Sequence, residues 1–153
     1  MGYKVKVLEP EQLMEPLLAL LEETDAVPLV VSGSSMTPFL VHRRDTVYLS
    51  KVCRPLKRGD MVLYRRDSGA YILHRIFRTE GDTFTMVGDN QTLLESGIRR
   101  DQVKAVVTAV YRKGRRLQKG SFWWEFFEKI WIRMVPVRPA VRKGYACLKR
   151  LIK

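Results

Sequence analysis

Short runs of β-branched and aromatic residues fill the middle of this 153-residue chain and constrain its fold more than any other feature. Clusters rich in Gly and Asp separate the runs, and such clusters form tight turns. The runs occupy residues 46–52, 61–64, 71–77, 83–87 and 103–111. Short strands at this spacing are typical of a coiled, largely antiparallel sheet that closes on itself. The sequence therefore predicts a mainly β fold.

Helical patterns lie on either side of these runs. Residues 11–23 repeat leucine at helical spacing and predict a helix, although Pro16 should delay its regular part. Residues 121–135 hold all three tryptophans of the chain and predict an amphipathic aromatic helix that Pro136 ends. A second basic, partly apolar piece follows at 141–153.

Charge is distributed unevenly along the chain. Residues 1–111 carry 15 Lys/Arg and 14 Asp/Glu, whereas residues 112–153 carry 13 and 2. We therefore divide the chain into an N-terminal strand and helix (1–26), a β domain (27–111) and a basic, aromatic, amphipathic helical tail (112–153). An aromatic amphipathic helix beside many cations favours an anionic membrane surface as a partner. The alternative is that the aromatic residues pack on the β core.

Several other classes of protein fit the composition less well. No run of 18 apolar residues and no signal-peptide apolar region occur, so we expect peripheral membrane association, with a cytoplasmic location as the alternative. The β domain is almost neutral, so no nucleic-acid partner is expected, although a basic nucleic-acid-binding protein stays an alternative. Cys53 and Cys147 lie in no metal-ligand spacing, and we expect neither a metal nor a cofactor.

Ser35 and His74 are the residues most suited to catalysis. Ser35 lies in a turn rich in Gly, Ser and Pro that follows the apolar run 27–31. Such a turn can expose a hydroxyl, but serine is a poor nucleophile unless a neighbouring base takes its proton. His74 lies within the predicted strand 71–77, and an imidazole is a base suited to neutral pH. Taken singly they are a turn serine and a structural histidine; taken together they predict a hydrolase of peptide bonds.

Four short blocks occur in a fixed order around these two residues. They are Gly33-x-Ser35-Met36-x-Pro38, Lys57-Arg58-Gly59-Asp60-Met61-Val62, His74-Arg75-Ile76 and Gly88-Asp89-Asn90. In this order, within a β-rich chain, they resemble the signal peptidase and SOS-repressor superfamily of serine peptidases. A histidine stands where bacterial-type members carry a lysine. The similarity is therefore greatest to the Ser/His signal peptidases of endoplasmic-reticulum, archaeal and sporulation type.

The resemblance implies a role for each of these positions. Ser35 would be the nucleophile, with Ser34 as the second choice, and His74 would be the general base. The carboxylate that orients His74 would be Asp89 or Glu95, and the sequence leaves the two open. The residues that frame the nucleophile and the oxyanion hole would be Gly33, Ser34, Met36 and Pro38.

The implied activity is that of a serine endopeptidase that cleaves a precursor or leader peptide through an acyl-enzyme on Ser35. The implied substrate is extended and has small side chains beside the scissile bond. The alternative of the same fold is a regulatory module that is non-catalytic or cleaves only itself.

Overall fold

Eight β-strands form one antiparallel sheet in the computed structural model, which describes residues 10–153. The strands are β1 (Val27–Val30), β2 (Thr46–Ser50), β3 (Met61–Arg65), β4 (Tyr71–Glu80), β5 (Thr83–Val87), β6 (Glu95–Arg99), β7 (Val103–Arg112) and β8 (Arg115–Gln118). The strand order is β1-β2-β7-β3-β4-β5-β6, and β8 pairs with β7. The mainly β, antiparallel prediction is confirmed.

Within residues 10–153 the sheet does not close on itself, so the predicted closure is not seen there. The hydrogen-bonded ladder is an open path that runs from β1 at one end to β6 at the other. The C-terminal helical segment covers part of the sheet. Val87 on β5 packs with Ile132 and Val135 of that segment.

The N-terminal helix α1 spans Pro10–Leu21 and contains Pro16 without a delayed start. Pro16 is exposed, while Met14 and Leu21 are buried in the main core. Packing on both sides of the proline therefore compensates for the backbone hydrogen bond that it removes. The N-terminal strand predicted before this helix lies outside the described residues.

The C-terminal segment is helical, but it is not the single helix predicted over residues 121–135. It begins with α2 (Phe122–Glu125), continues through a π-helical turn (Phe126–Ile130) and a 3₁₀ stretch (Trp131–Val137), and ends with α3 (Arg138–Leu151). Pro136 lacks the N–H that would extend an α-helical ladder, which is consistent with the change of helix type. Pro139 falls in the first turn of α3, where an N–H is not needed.

The junction between sheet and tail is a β-hairpin. Lys113 and Gly114 both adopt left-handed φ (49° and 76°) and join β7 to β8 by the two-residue turn that suits twisted strands. The boundary predicted at residue 112 therefore lies within this hairpin.

The aromatic residues of the tail are divided between core and surface. Trp124, Phe127 and Trp131 are buried in the main hydrophobic cluster, whereas Phe122 and Trp123 are exposed. For Trp124, Phe127 and Trp131, the structure therefore shows the alternative that the sequence left open, namely packing on the β core. No helix within residues 10–153 combines the length and the apolar character needed to cross a bilayer.

Candidate active site

The turn between β1 and β2 presents Ser35 at the wall of a cavity of about 210 Å³. Gly33 has a left-handed φ of 86°, and its N–H donates a 2.8 Å hydrogen bond to Nδ1 of His42. Met36 is buried in the core beneath the turn. The turn is therefore held from both sides, and it leaves Ser35 half-buried between them.

His74 lies on β4 and lines the same cavity, with only 4 % of its surface exposed. Gly88 lies close to both Ser35 and His74. A Cβ atom at that position would lie 2.6 Å from the Ser35 carbonyl oxygen and 3.0 Å from His74 Nε2. The structure thus brings Ser35 and His74 together, with Nε2 on the Ser35 side. No hydrogen bond joins them in the described chain; such contacts often tighten only when substrate binds.

Tyr64 connects the other ring nitrogen of His74 to a carboxylate. Its Oη lies 3.4 Å from His74 Nδ1 and donates a 2.9 Å hydrogen bond to Glu95 Oε2. Arg66 binds both oxygens of Glu95, at 2.9 Å through Nε and 2.7 Å through Nη2. The four side chains form one continuous chain, His74–Tyr64–Glu95–Arg66.

Sequence reasoning missed Tyr64 and Arg66. The feature that could have revealed Tyr64 is the register of the β3–β4 hairpin, which places Val62 opposite His74. Tyr64 is two residues further along β3, so it lies on the same face as a diagonal neighbour of His74.

The protonation states of this chain follow from its burial. Burial lowers the pKa of His74 to about 4, an effect that Glu95 partly opposes. Burial and the hydrogen bond to Glu95 raise the pKa of Tyr64. The hydrogen bond from Arg66 lowers the pKa of Glu95. At neutral pH the imidazole is therefore neutral, the phenol protonated and the carboxylate ionised.

These states select one tautomer of His74. The phenol has a single proton, and it donates that proton to Glu95. Its oxygen can therefore only accept from His74, which places the imidazole proton on Nδ1. The lone pair of the ring is then on Nε2, on the side where Ser35 lies, as a base requires.

Asp89 is the carboxylate that does not reach His74. Its oxygens accept hydrogen bonds from Arg75 Nε at 2.9 and 3.2 Å, and Arg75 also donates to the Gly59 carbonyl at 2.9 Å. Both charged side chains are buried. Of the two candidates left open by the sequence, only Glu95 is connected to His74, and the connection runs through Tyr64.

The Ser35 backbone N–H is available to donate to an oxyanion. The Gly33 N–H is already bonded to His42, and the Ser34 carbonyl accepts from Thr37 Oγ1 at 2.8 Å. Within residues 10–153 the Ser35 N–H has no protein acceptor. Ser34 and Pro38 are exposed and lie outside the contact between Ser35 and His74.

A second cavity of about 510 Å³ adjoins the first, and the two share Arg66 and Gln91 in their walls. Ser35 lies in the wall of the first of these two neighbouring cavities. Across the described part of the chain, no cluster of three or more His, Cys, Asp or Glu could hold a metal ion.

Comparison with protein families gives a match over most of the chain. A family model described as Peptidase S24-like matches residues 4–110, which include Ser35, His74, Asp89 and Glu95. The matched region ends before the C-terminal helical segment. No curated protein shows a significant match to the chain.

Proposed function

The chain belongs to the Peptidase S24-like family, and we propose that it is a serine endopeptidase with Ser35 as nucleophile and His74 as general base. The observation that carries this proposal is that Ser35 and His74 line one cavity, with the Ser35 carbonyl oxygen and His74 Nε2 both next to Gly88. A serine hydroxyl and a neutral imidazole in one cavity become an activated nucleophile when the imidazole accepts the hydroxyl proton.

The proposed reaction follows the geometry. His74 Nε2 takes the Ser35 proton as Oγ attacks the scissile carbonyl, and the Ser35 N–H donates to the oxyanion. The imidazolium then gives its proton from Nε2 to the leaving amine, and an acyl-enzyme forms on Ser35. Water, deprotonated by the same nitrogen, releases the acyl group. Throughout, Nδ1–H points to Tyr64, whose hydroxyl transmits the negative charge of Glu95 to the imidazolium.

We predict that Tyr64→Phe and Glu95→Gln each lower kcat by roughly 10- to 100-fold, the effect of losing a hydrogen bond to a charged group. KM should change little, because the imidazolium exists only during reaction. Asp89→Asn should instead lower the melting temperature, since it weakens a buried ion pair with Arg75. Steady-state kinetics on a cleaved peptide and thermal denaturation would separate the two classes.

Tyr48→Phe is the matched control, because Tyr48 on β2 lines neither cavity. Wild-type kcat in both Tyr64→Phe and Glu95→Gln would mean that Ser35 and His74 act as a dyad without a third member. A large loss of kcat in Asp89→Asn without a loss of stability would assign the orienting role to Asp89.

The proposed substrate is a precursor or leader peptide bound in extended form, as in signal peptidases. Support comes from β1, which lies at one end of the sheet formed by residues 10–153 and is followed directly by cavity residues Val31, Ser32 and Gly33. A peptide added beside β1 would run into the cavity that holds Ser35. The competing proposal is a regulator that cleaves only itself. Its cleavage rate would not depend on protein concentration, and added peptides would remain intact.

We also propose that α3 holds the protein peripherally on anionic membranes. Every residue from 141 to 153 is exposed. The helix carries five Lys or Arg residues, all exposed except the buried Arg138, and no Asp or Glu. Its exposed apolar side chains include Val141, Tyr145, Leu148 and Leu151. A basic helix with an uncovered apolar face suits an anionic lipid interface.

We predict that the full-length chain co-sediments with vesicles of phosphatidylcholine and phosphatidylglycerol at low salt. Each cation near such a surface is worth about 1 kcal/mol, so high salt should release the protein. Replacing Tyr145 and Leu148 by Gln should abolish binding, whereas Leu20→Gln, on the exposed face of α1, should not. Full-length protein that stays in the supernatant at low salt would contradict this proposal.

A further inference from the structure

The loop 88–91, next to the candidate site, is bonded to the C-terminal segment through four successive carbonyl groups. The bonds run from Arg138 Nη1 to Gly88 O (2.8 Å) and Gln91 O (2.9 Å), from Trp131 Nε1 to Asp89 O (2.8 Å), and from Arg142 Nη1 to Asn90 O (3.1 Å). All three donors lie outside the region that matches the family model.

The other side of the same loop contacts the candidate catalytic residues. The Asn90 N–H donates a 2.8 Å hydrogen bond to the Ser35 carbonyl, and Asn90 Nδ2 donates to the Ser34 carbonyl at 3.3 Å. Gly88 lies between the Ser35 carbonyl and His74 Nε2, so closely that a Cβ at Gly88 would collide with the Ser35 carbonyl oxygen. The loop is therefore fixed between the C-terminal segment and the Ser35 turn.

The central donor of this arrangement is buried. Arg138 is 1 % exposed, its Nη2 donates to the Trp131 carbonyl at 2.9 Å, and its guanidinium lies 5.1 Å from the Trp131 ring centroid. Burial lowers the pKa of Arg138 to about 10, so it stays charged at neutral pH. A buried cation is costly unless its N–H groups are bonded. Nη1 and Nη2 of Arg138 are bonded to three carbonyls, whereas its buried Nε has no partner among residues 10–153. A shift of the loop would therefore remove two of the bonds that compensate this buried charge.

We propose that the segment from Trp131 to Arg142 braces the loop 88–91 against Ser35 and His74, with Trp131, Arg138 and Arg142 as positioning residues of the peptidase site. This inference rests on the proposed function. It means that the region matching the family model is not a complete catalytic unit in this chain. Removal of the C-terminal segment is therefore expected to damage the site.

Two mild substitutions test the brace. Trp131→Phe keeps an aromatic ring in the core but removes the N–H bonded to Asp89. Arg142→Ala removes the contact to Asn90 at an exposed position. The matched controls are Trp123→Phe and Lys143→Ala, which lie in the C-terminal helical segment on either side of residues 131–142 and make no side-chain hydrogen bond to the loop within the described chain.

The first measurement is the rate at which a fluorophosphonate probe labels Ser35. Each test variant should label roughly 5- to 10-fold more slowly than wild type, as expected for the loss of one hydrogen bond. The controls should label at the wild-type rate. Test variants that melt at lower temperature but label at the wild-type rate would overturn the proposal and leave these residues a purely structural role.

The second measurement needs no reaction at Ser35. The chain has only two histidines, so NMR titration can follow the His74 ring, with His74→Gln for assignment. A loosened loop would admit water, so the His74 pKa should rise from about 4 toward its ordinary value of 6.5. The Asn90 amide, bonded to the Ser35 carbonyl, should also exchange faster with solvent.

The two readouts separate the brace from the peptidase activity. If wild-type protein is not labelled at Ser35, the proposed function fails. The brace is then decided by the NMR data alone. A shifted His74 titration and faster Asn90 exchange in Trp131→Phe and Arg142→Ala would support it, and wild-type behaviour of both would overturn it.

Discussion

Replacing Ser35 by alanine should lower peptide hydrolysis by about 10⁴-fold or more while leaving the fold intact, as loss of a serine nucleophile does elsewhere. The fold should survive because Ser35 is half-buried and its hydroxyl makes no hydrogen bond within residues 10–153. The turn itself is held by the Gly33–His42 bond and by Met36 in the core. Digestion of a proteome-derived peptide mixture, followed by mass spectrometry, would measure the loss. Thermal denaturation would verify the fold.

Ser34→Ala is the matched control for this experiment. Ser34 is the adjacent hydroxyl, but it is exposed and its residue does not line the cavity shared with His74. The variant should therefore keep most of the activity. If Ser34→Ala is inactive and Ser35→Ala is active, the nucleophile has been assigned to the wrong serine.

Replacing His74 by glutamine should cause a loss of similar size, because no other described side chain in the cavity can take the Ser35 proton at neutral pH. The wild-type pH profile carries a second expectation. The base must be unprotonated, so kcat/KM should fall as pH falls through the His74 pKa. Burial holds that pKa at about 4, so activity should persist well below pH 6.

The same group links pH to stability. Because folding lowers the pKa of His74 from its ordinary 6.5, the unfolded chain binds the proton first as pH falls. Stability contributed by the neutral ring is therefore present above pH 6.5 and is lost as pH falls toward 4. His42→Gln is the control, since glutamine can still accept the Gly33 N–H.

The pH profile of activity has its own contradicting outcome. If kcat/KM of the wild type fell with a midpoint near pH 6.5, a buried His74 could not be the base.

Local chemistry made the strands and the candidate catalytic pair predictable. Alternating β-branched runs located β2, β3, β4, β5 and β7 to within a few residues. They did not reveal β6 or β8, whose residues are mostly polar and whose pairing depends on a neighbouring strand. Ser35 and His74 could be found because each stands in a short block of distinctive composition.

The third member of the site depends on register and could not be derived from spacing. Asp89 is closer to the glycine that separates Ser35 and His74, yet its carboxylate is bound by Arg75. Glu95 lies at the start of β6 and reaches His74 only through Tyr64. Which carboxylate faces the imidazole was therefore set by strand pairing, which a single sequence does not show.

The role of the C-terminal segment was hidden by its composition. Among 13 Lys and Arg residues after position 111, Arg138 looks like one more surface cation, but it is buried. Likewise, the aromatic residues of 122–131 share one amphipathic pattern, although some enter the core and others remain exposed. Hydrophobicity alone does not distinguish a face that covers a core from one that meets a membrane.

Covalent labelling by a fluorophosphonate tests the central claim most directly. Ser35 Oγ would displace fluoride from phosphorus, with its proton passing to His74 Nε2, and the adduct would be read by intact-mass and peptide-mapping mass spectrometry. We expect one adduct per chain, located on Ser35, absent in Ser35→Ala and formed far more slowly in His74→Gln. An adduct on another residue, or undiminished labelling of Ser35→Ala, would contradict the assignment of Ser35 as the nucleophile.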